Sequence, residues 1–335
     1  MPGRNYQQVF EQFRHLRVMV IGDVMVDAYI FGKVERISPE APVPVVLVEK
    51  RVNLLGGAAN VALNLRSLGA EPVLCSVIGH DSKGEDFRQL LSEAGISGEA
   101  VITSNDRITT TKFRVIGNKT QMLRVDEEVT SDLVPGDQSL LLGKISEILE
   151  KSAIHAIILQ DYNKGILTAD LISDVIRMAG IHHIPVVVDP KRKNFLQFKG
   201  AALFKPNLKE LREGLGRDIR IDDRKSLEDA ATFLHKELEI SVVMVTLSEK
   251  GVFISRQEVD GKIVRHFIPA HLRNISDVSG AGDTVISVAA LGLACGLKPE
   301  EIAALANLAG GLVCEEVGVV PVSREKLLTE SLTLL

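Results

Sequence analysis

Short runs of β-branched and other apolar residues alternate along the chain with stretches in which apolar positions recur every three or four residues. "RVMVIGD", "PVLCSVIG", "HAIILQD", "IPVVVDP", "AALFKPN" and "VVMVTLS" have the first pattern and predict buried strands. "GGAANVALNLRSLG", "GEDFRQLLSEAG", "TADLISDVIRMAG" and "LEDAATFLHKEL" have the second and predict helices. Strands this apolar need cover on both faces. The fold class is therefore α/β: a doubly wound, mostly parallel sheet with helices on both sides.

Two stretches break the rhythm. Residues 28–52, with Pro39, Pro42 and Pro44, have no helical period, and "ITTTKFRVIGNKTQMLRVDEE" reads as a hairpin turning at Gly117 and Asn118. Neither has a neighbouring helical pattern to cover it. Together they predict a small β-sheet lid, residues 28–52 and 108–126, inserted in one α/β domain spanning 1–335. No internal repeat or linker-like shift in composition marks a second domain.

Composition narrows the class. Of 335 residues 45% are hydrophobic and 25% charged, which suits a large core, and the net charge of −5 gives no global attraction to nucleic acid or an anionic membrane. Cys75, Cys295 and Cys314 are far apart in apolar segments, as reduced thiols of a cytoplasmic protein are. The N-terminal "MPGRNYQQVFEQFRHLR" lacks an apolar core of signal-peptide length, and the longest apolar run, Val285–Leu297, is too short to span a bilayer. A cytoplasmic chain with no nucleic-acid or membrane partner is expected.

In open α/β sheets ligands collect at the carboxyl ends of strands. The polar residues there are Asp23 and Asp27, Asp161 with Lys164, Asp189 with Lys191, Asn207 with Glu210, and Thr246 with Ser248. Singly, each is an ordinary turn former or cap; together they predict a long cleft lined by acids, amides and lysines. The familiar strings are missing: there is no G-x-x-x-x-G-K-[ST], no H-R-D or D-F-G, and "GAGDTV" lacks the third glycine of a dinucleotide fingerprint. Asp277 and Ala281 stand where a nucleophile elbow around Ser279 needs glycines. His182 and His183, before Pro185, read as an exposed turn rather than a metal site.

The octapeptide "DVSGAGDT", residues 277–284, precedes an apolar run that reads as a buried helix. Two readings stay open on these residues alone. Asp283 caps the helix and glycine supplies the turn, or Gly280, Ala281 and Gly282 clear the way for an anion to reach free N–H groups at the helix start.

Taken in order and spacing, "GGAANVALNLRSLG", "KPNLKEL" and "DVSGAGDT" resemble the ribokinase-like (PfkB) carbohydrate kinases over nearly the whole chain. "GDVMVDAYIFGKVERISPEAPVPVV" is similar, more narrowly, to the kinase part of the bacterial enzymes that phosphorylate D-glycero-β-D-manno-heptose 7-phosphate. "LLGGAANVALNL", "LRVDEE", "QDYNKG" and "VVVDPK" support the same likeness. Gln160 stands where that group has Ser, and Asn163 where Ala is commoner; neither side chain is expected to be central to the chemistry.

The resemblance implies ATP and Mg²⁺ and distributes roles residue by residue. Asp283 would be the base that takes the proton of the sugar's anomeric hydroxyl, and the N–H groups running from Gly280 through Ala281 and Gly282 to Asp283 would form the anion hole. Asn207 and Glu210, an N-x-x-E pattern with Leu208 and Lys209 between them, would lie at the ATP phosphates and the metal. Thr246, Ser248 and Gly251 would line the nucleotide site, and Asn307 would approach the adenine. Asp27 and Asn60 would bind sugar hydroxyls, with Gly56 and Gly57 letting the backbone come close. Lys112, Arg114, Arg124 and Lys164, with Asp161 and Asp189, would complete the sugar-phosphate site, and alternation places Lys112, Arg114 and Arg124 on one face of the hairpin.

The reaction so implied is phosphorylation of the anomeric oxygen of heptose 7-phosphate to the 1,7-bisphosphate, supplying ADP-heptose for lipopolysaccharide. Two alternatives compete: another acceptor such as ribose, fructose phosphate or a nucleoside, and a non-catalytic sugar-phosphate sensor. The H-x-G-H string of the nucleotidyltransferase fused to some relatives does not occur, so that activity is expected either elsewhere or in a longer chain of which this sequence is a part. Relatives often dimerise through the lid, and a homodimer is expected.

Overall fold

The computed structural model describes residues 5–335 except Val259 and Leu272; the first four residues of the N-terminal stretch read above lie outside the described residues. The chain opens with α1 (Tyr6–Phe13), β1 (Arg17–Gly22), β2 (Val24–Ile37), β3 (Pro44–Gly57), α2 (Ala58–Ser67), β4 (Glu71–Gly79), α3 (Ser82–Glu93) and β5 (Val101–Ser104). It continues through β6 (Thr111–Gly117), β7 (Thr120–Glu127), α4 (Pro135–Lys151), β8 (Ala156–Gln160), α5 (Ala169–Ile181), β9 (Val186–Asp189) and β10 (Leu203–Phe204). The last third holds α6 (Leu208–Leu215), α7 (Arg224–Glu237), β11 (Val242–Thr246), β12 (Val252–Gln257), β13 (Ile263–Ile268), α8 (Ala281–Ala294), α9 (Pro299–Val313) and α10 (Arg324–Leu334).

Among the described residues these strands form a nine-stranded sheet, ordered β13-β12-β11-β10-β9-β8-β1-β4-β5, and a four-stranded sheet, β3-β2-β6-β7. The large sheet is parallel except where β12 and β13 close its edge antiparallel. Alternation along β1 shows how it is covered. Val18 and Val20 pack into one hydrophobic cluster with α2, α8 and α9, while Met19 and Ile21 pack into another with α4, α5 and α7. Each such side chain taken out of water contributes roughly 1.5–3 kcal/mol, so the two clusters hold the strand ends in place.

Register then aligns the carboxyl ends. Gln160 pairs with Asp189 across β8 and β9, and Asn207, past the end of β10, bridges Thr246, the last residue of β11. Above this row stands α8, buried continuously from Asp283 to Gly292. Gly310 of α9 lets it pack closely, since a Cβ there would come within 2.8 Å of Val285 Cγ2.

The four-stranded sheet is built from the two segments that broke the rhythm, but it roots deeper than residues 28–52 and 108–126. β2 is buried from Val24 to Ala28 before it becomes exposed, and β3 re-enters the core at Leu55. The hairpin turns one residue later than expected, at Asn118 and Lys119, with φ of 51° and 66°; a two-residue hairpin loop needs both in this region. Gly117 instead ends β6, where a Cβ would meet Val34 Cγ2 at 2.5 Å. Among the described residues no helix is long and apolar enough to cross a membrane.

Candidate active site

α8 opens on Gly280, whose φ of 79° lies in the left-handed region that glycine adopts readily, and no side chain caps the helix. Ala281 N–H reaches Val278 O at 3.3 Å and Thr284 N–H reaches Gly280 O at 3.0 Å. The amides of Gly282 and Asp283, in the first turn, are left without helical acceptors. A Cβ built on Gly282 meets nothing closer than Lys205 Nζ at 3.9 Å and Asp189 Oδ2 at 4.0 Å. The protein would accommodate a side chain there and carries none, over a helix N-terminus and beside a lysine, where an anion is favoured.

Gly280, Ala281, Gly282 and Asp283 line a cavity of about 660 Å³ with Tyr162, Asp189, Lys191, Lys205, Asn207 and Glu210. Asp283 is 5% exposed. Its Oδ2 accepts from Asn60 Nδ2 at 2.7 Å, and its Oδ1 from the Tyr162 hydroxyl at 2.7 Å and Gln160 Nε2 at 3.2 Å. Burial pushes Asp283 up to about 6, helped by the Asp189 carboxylate and opposed by the Asn60 and Tyr162 hydrogen bonds and by Lys205. It is ionised at neutral pH and basic enough to take a proton. The ionised carboxylate only accepts, so the amides of Asn60 and Gln160 must turn nitrogen toward it. Asn60 Oδ1 and Gln160 Oε1 are consequently left buried with no donor.

Asp189 anchors the cations. Its Oδ2 pairs with Lys205 Nζ at 3.1 Å and Gln160 Nε2 at 3.2 Å, while its Oδ1 is buried with no hydrogen bond and lies 3.9 Å from Lys191 Nζ. Lys191 also pairs with Glu210 Oε1. Burial lowers the Lys191 pKa, but the Asp189 and Glu210 carboxylates outweigh it and raise the amine above its ordinary value. Lys191 stays charged.

Asn207 and Glu210 form a capping box at the start of α6: Asn207 Oδ1 accepts from Glu210 N–H, and Glu210 Oε2 from Asn207 N–H, both at 2.8 Å. Capping accounts for these two oxygens, and Lys191 for Glu210 Oε1. Among the described residues no cluster of three or more His, Cys, Asp or Glu is assembled for a metal. The donors at hand are hard oxygens, which fit a magnesium ion held chiefly by nucleotide phosphates and water with Glu210 at its edge.

Thr246, Ser248, Gly251 and Asn307 line the same cavity. Gly251 has a reason of its own: its φ is 92°, and a Cβ would lie 2.0 Å from Ile268 O. Asn307 Nδ2 bonds Pro269 O at 2.8 Å. Leu208 packs against the core instead, and Lys209 points to solvent beside Glu213, because the first turn of α6 presents only its cap to the cleft.

The residues expected at the sugar side are differently employed. Asp27 Oδ1 pairs with Arg114 Nη1 at 2.5 Å. Gly56 makes room for that carboxylate, since a Cβ would sit 2.3 Å from Asp27 Oδ2, and Gly57, with φ of 61°, opens α2. Lys112, Arg114, Arg124 and Asp126 share one face, as the pairing of Lys112 with Asp126 and Arg114 with Arg124 requires. The expected cations are neutralised. Lys112 reaches Asp126 at 3.2 Å and Glu128 at 3.5 Å, Arg124 reaches Asp126 at 3.0 Å, and Lys164 reaches Glu128 at 2.6 Å. Asp161 turns away from the cavity: it accepts from Asn163 N–H at 2.7 Å and Asn194 Nδ2 at 3.1 Å, and burial pushes it up to about 6.

Sequence reasoning set Lys191 in the cleft without giving it a role, missed Tyr162 and Lys205, and set aside Gln160, which donates to both Asp283 and Asp189. Lys191 had a signal in its place after an apolar run. Lys205 had one beside Asn207, masked by the apolar residues before it.

A family description for "pfkB family carbohydrate kinase" matches residues 15–326; the chain belongs to this family and is an ATP-dependent sugar kinase. It is 39% identical over 331 residues to the bifunctional protein HldE of Citrifermentans bemidjiense, covering 98% of this chain and 66% of the relative. HldE of Caulobacter vibrioides is 41% identical over 315 residues, 92% of this chain and 62% of the relative. The chain thus spans somewhat less than two thirds of these relatives' length. Phosphofructokinase-2 from Escherichia coli shares the fold, with a TM-score of 0.76 at 18% identity over 94% of this chain and 97% of that one. So does Arabidopsis thaliana ribokinase, solved with ribose and ATP, with a TM-score of 0.68 at 19% identity over 93% and 98%.

Proposed function

We propose that this kinase transfers the terminal phosphoryl group of ATP to the anomeric oxygen of D-glycero-β-D-manno-heptose 7-phosphate, giving the 1,7-bisphosphate for ADP-heptose and lipopolysaccharide synthesis. The observation that carries the chemistry is the Asp283 carboxylate set at an uncapped helix start among open amides. Asp283 takes the proton of the attacking hydroxyl, the oxygen–phosphorus bond forms, and the bond to ADP breaks. The amides of Gly282 and Asp283, with Lys205 and Lys191, supply positive potential where charge moves.

The cations on the four-stranded sheet favour a sugar phosphate over a free sugar: Lys112, Arg124 and Lys164 are held by carboxylates that a phosphate would displace. Glu210 and Asn207 would hold Mg²⁺ at the nucleotide phosphates, where the ion would supply neutralising charge. Exposed Ile37, Leu47, Leu123 and Val125 on the same sheet support a homodimer formed there. The bifunctional relatives' second activity lies outside this reading. A coupled assay of ADP release tests the acceptor: turnover is expected on the heptose 7-phosphate and little on ribose or fructose 6-phosphate. Equal or better turnover on ribose would overturn the assignment.

A further inference from the structure

We infer that Tyr162, with Gln160, is a positioning residue for Asp283: the two saturate Oδ1 and so make Oδ2 the oxygen that receives the acceptor's proton. This rests on the reading of Asp283 as general base and carries it to a single atom. An ionised carboxylate offers about two acceptor sites on each oxygen. Oδ1 uses both, on the Tyr162 hydroxyl at 2.7 Å and Gln160 Nε2 at 3.2 Å, whereas Oδ2 uses one, on Asn60 Nδ2 at 2.7 Å. The open site is on Oδ2. In the transfer the acceptor's O–H bond breaks, its proton passes to Oδ2 and its oxygen bonds the terminal phosphorus of ATP, while the bond from that phosphorus to the bridging oxygen breaks and its electron pair leaves with ADP.

The place of Tyr162 is itself enforced. Asp23, buried just past the end of β1, accepts three backbone amides of the loop after β8: Tyr162 N–H at 2.8 Å and Lys164 N–H at 3.1 Å on Oδ2, and Ile166 N–H at 3.0 Å on Oδ1. Between them Asn163 adopts φ of 56°, a left-handed turn that asparagine tolerates better than alanine. Lys191 Nζ lies 5.5 Å from the Tyr162 ring centroid, so the ring is held on its face as well. The charged and titratable groups facing Asp283 are then Tyr162 from this loop, Asp189 and Lys191 from the end of β9, and Lys205 from the end of β10, with the neutral amides of Gln160 and Asn60 beside them. The Tyr162 hydroxyl can be removed without changing a charge or a ring contact.

Tyr162→Phe does this. In the full chain labelled with ¹³C-aspartate, the carboxyl resonance missing from Asp283→Asn identifies Asp283, and its titration reads the site without turnover. The midpoint is expected to rise by roughly one pH unit, a tenfold change of the size that a hydrogen bond to a charged group confers. The acid limb of kcat/KM moves the same way, plateau kcat falls by about tenfold, and KM for ATP stays within about twofold. A merely structural tyrosine would lower Tm and leave the titration in place. Gln160→Met removes the other donor to Oδ1 and shifts the midpoint in the same direction, which decides the matter if Tyr162→Phe does not fold. Superimposable titrations in wild type and the folded variant overturn the inference. Undiminished turnover in Asp283→Asn instead overturns the general-base reading beneath it.

Discussion

Replacing Asp283 by Asn separates chemistry from folding, because the two respond in opposite directions. Loss of the base lowers turnover by about 10²–10⁴, or roughly 3–5 kcal/mol in the barrier at about 1.4 kcal/mol per factor of ten. Stability follows from the carboxyl's pKa, about 6 in the folded chain against an ordinary 3.8. A raised value means the native state prefers the protonated form. Its contribution is complete below the unfolded value, declines as pH rises through the folded one, and is flat above about 6. The roughly two-unit shift corresponds to on the order of 3 kcal/mol that the ionised group costs the native state at neutral pH.

An Asn side chain escapes that cost but has one acceptor oxygen for three donors, leaving at least one unpaired at about 1–3 kcal/mol, the same at every pH. The Tm of the variant relative to wild type should therefore swing in its favour by a few degrees between pH 4 and pH 8. Thermal melts at both values and the coupled ADP-release assay on purified protein read the two effects. Turnover within about threefold of wild type, or a Tm gap that does not move with pH, would refute the reasoning.

Four further substitutions probe the rest of the site. Gly282→Ala should fold with unchanged or slightly raised Tm, since its Cβ has 3.9 Å of clearance, yet lose at least about tenfold in kcat because that methyl occupies the phosphoryl position; Gly251→Ala, with its Cβ 2.0 Å from a carbonyl oxygen, should instead lose Tm first. Glu210→Gln should weaken the Lys191 pair and raise the magnesium concentration for half-maximal activity several-fold, measured by titrating Mg²⁺ at fixed ATP; an unchanged titration removes Glu210 from the metal's surroundings. Lys112→Met should raise KM for the sugar phosphate by about tenfold with KM for ATP unmoved, and equal shifts in both would place Lys112 outside the acceptor site.

Much of the architecture was legible because it follows from periodicity. A strand such as β1 must be apolar at every position to be covered twice, and α8 must be apolar all round to be buried, so both announce themselves in one dimension. The hairpin turn was misplaced by one residue because Gly117 and Asn118 both tolerate positive φ. Packing against Val34 made the choice.

At the site the sequence by itself determined which residues can ionise and where small residues leave backbone exposed, and this marked Gly280, Gly282 and Asp283 as candidates while leaving a helix cap and an anion site both open. Which groups neutralise which was decided only by tertiary structure. Asp27 and Lys164 carry no mark in sequence that the first will meet Arg114 on another strand and the second Glu128, and Gln160 looks incidental until β8 and β9 set it beside Asp189 and α8 brings Asp283 above it. The reason is electrostatic. A buried charge must find its partner within a few ångströms, and those partners are 123 residues away for Gln160 and Asp283, and 223 for Asn60 and Asp283. Only the folded chain brings them that close.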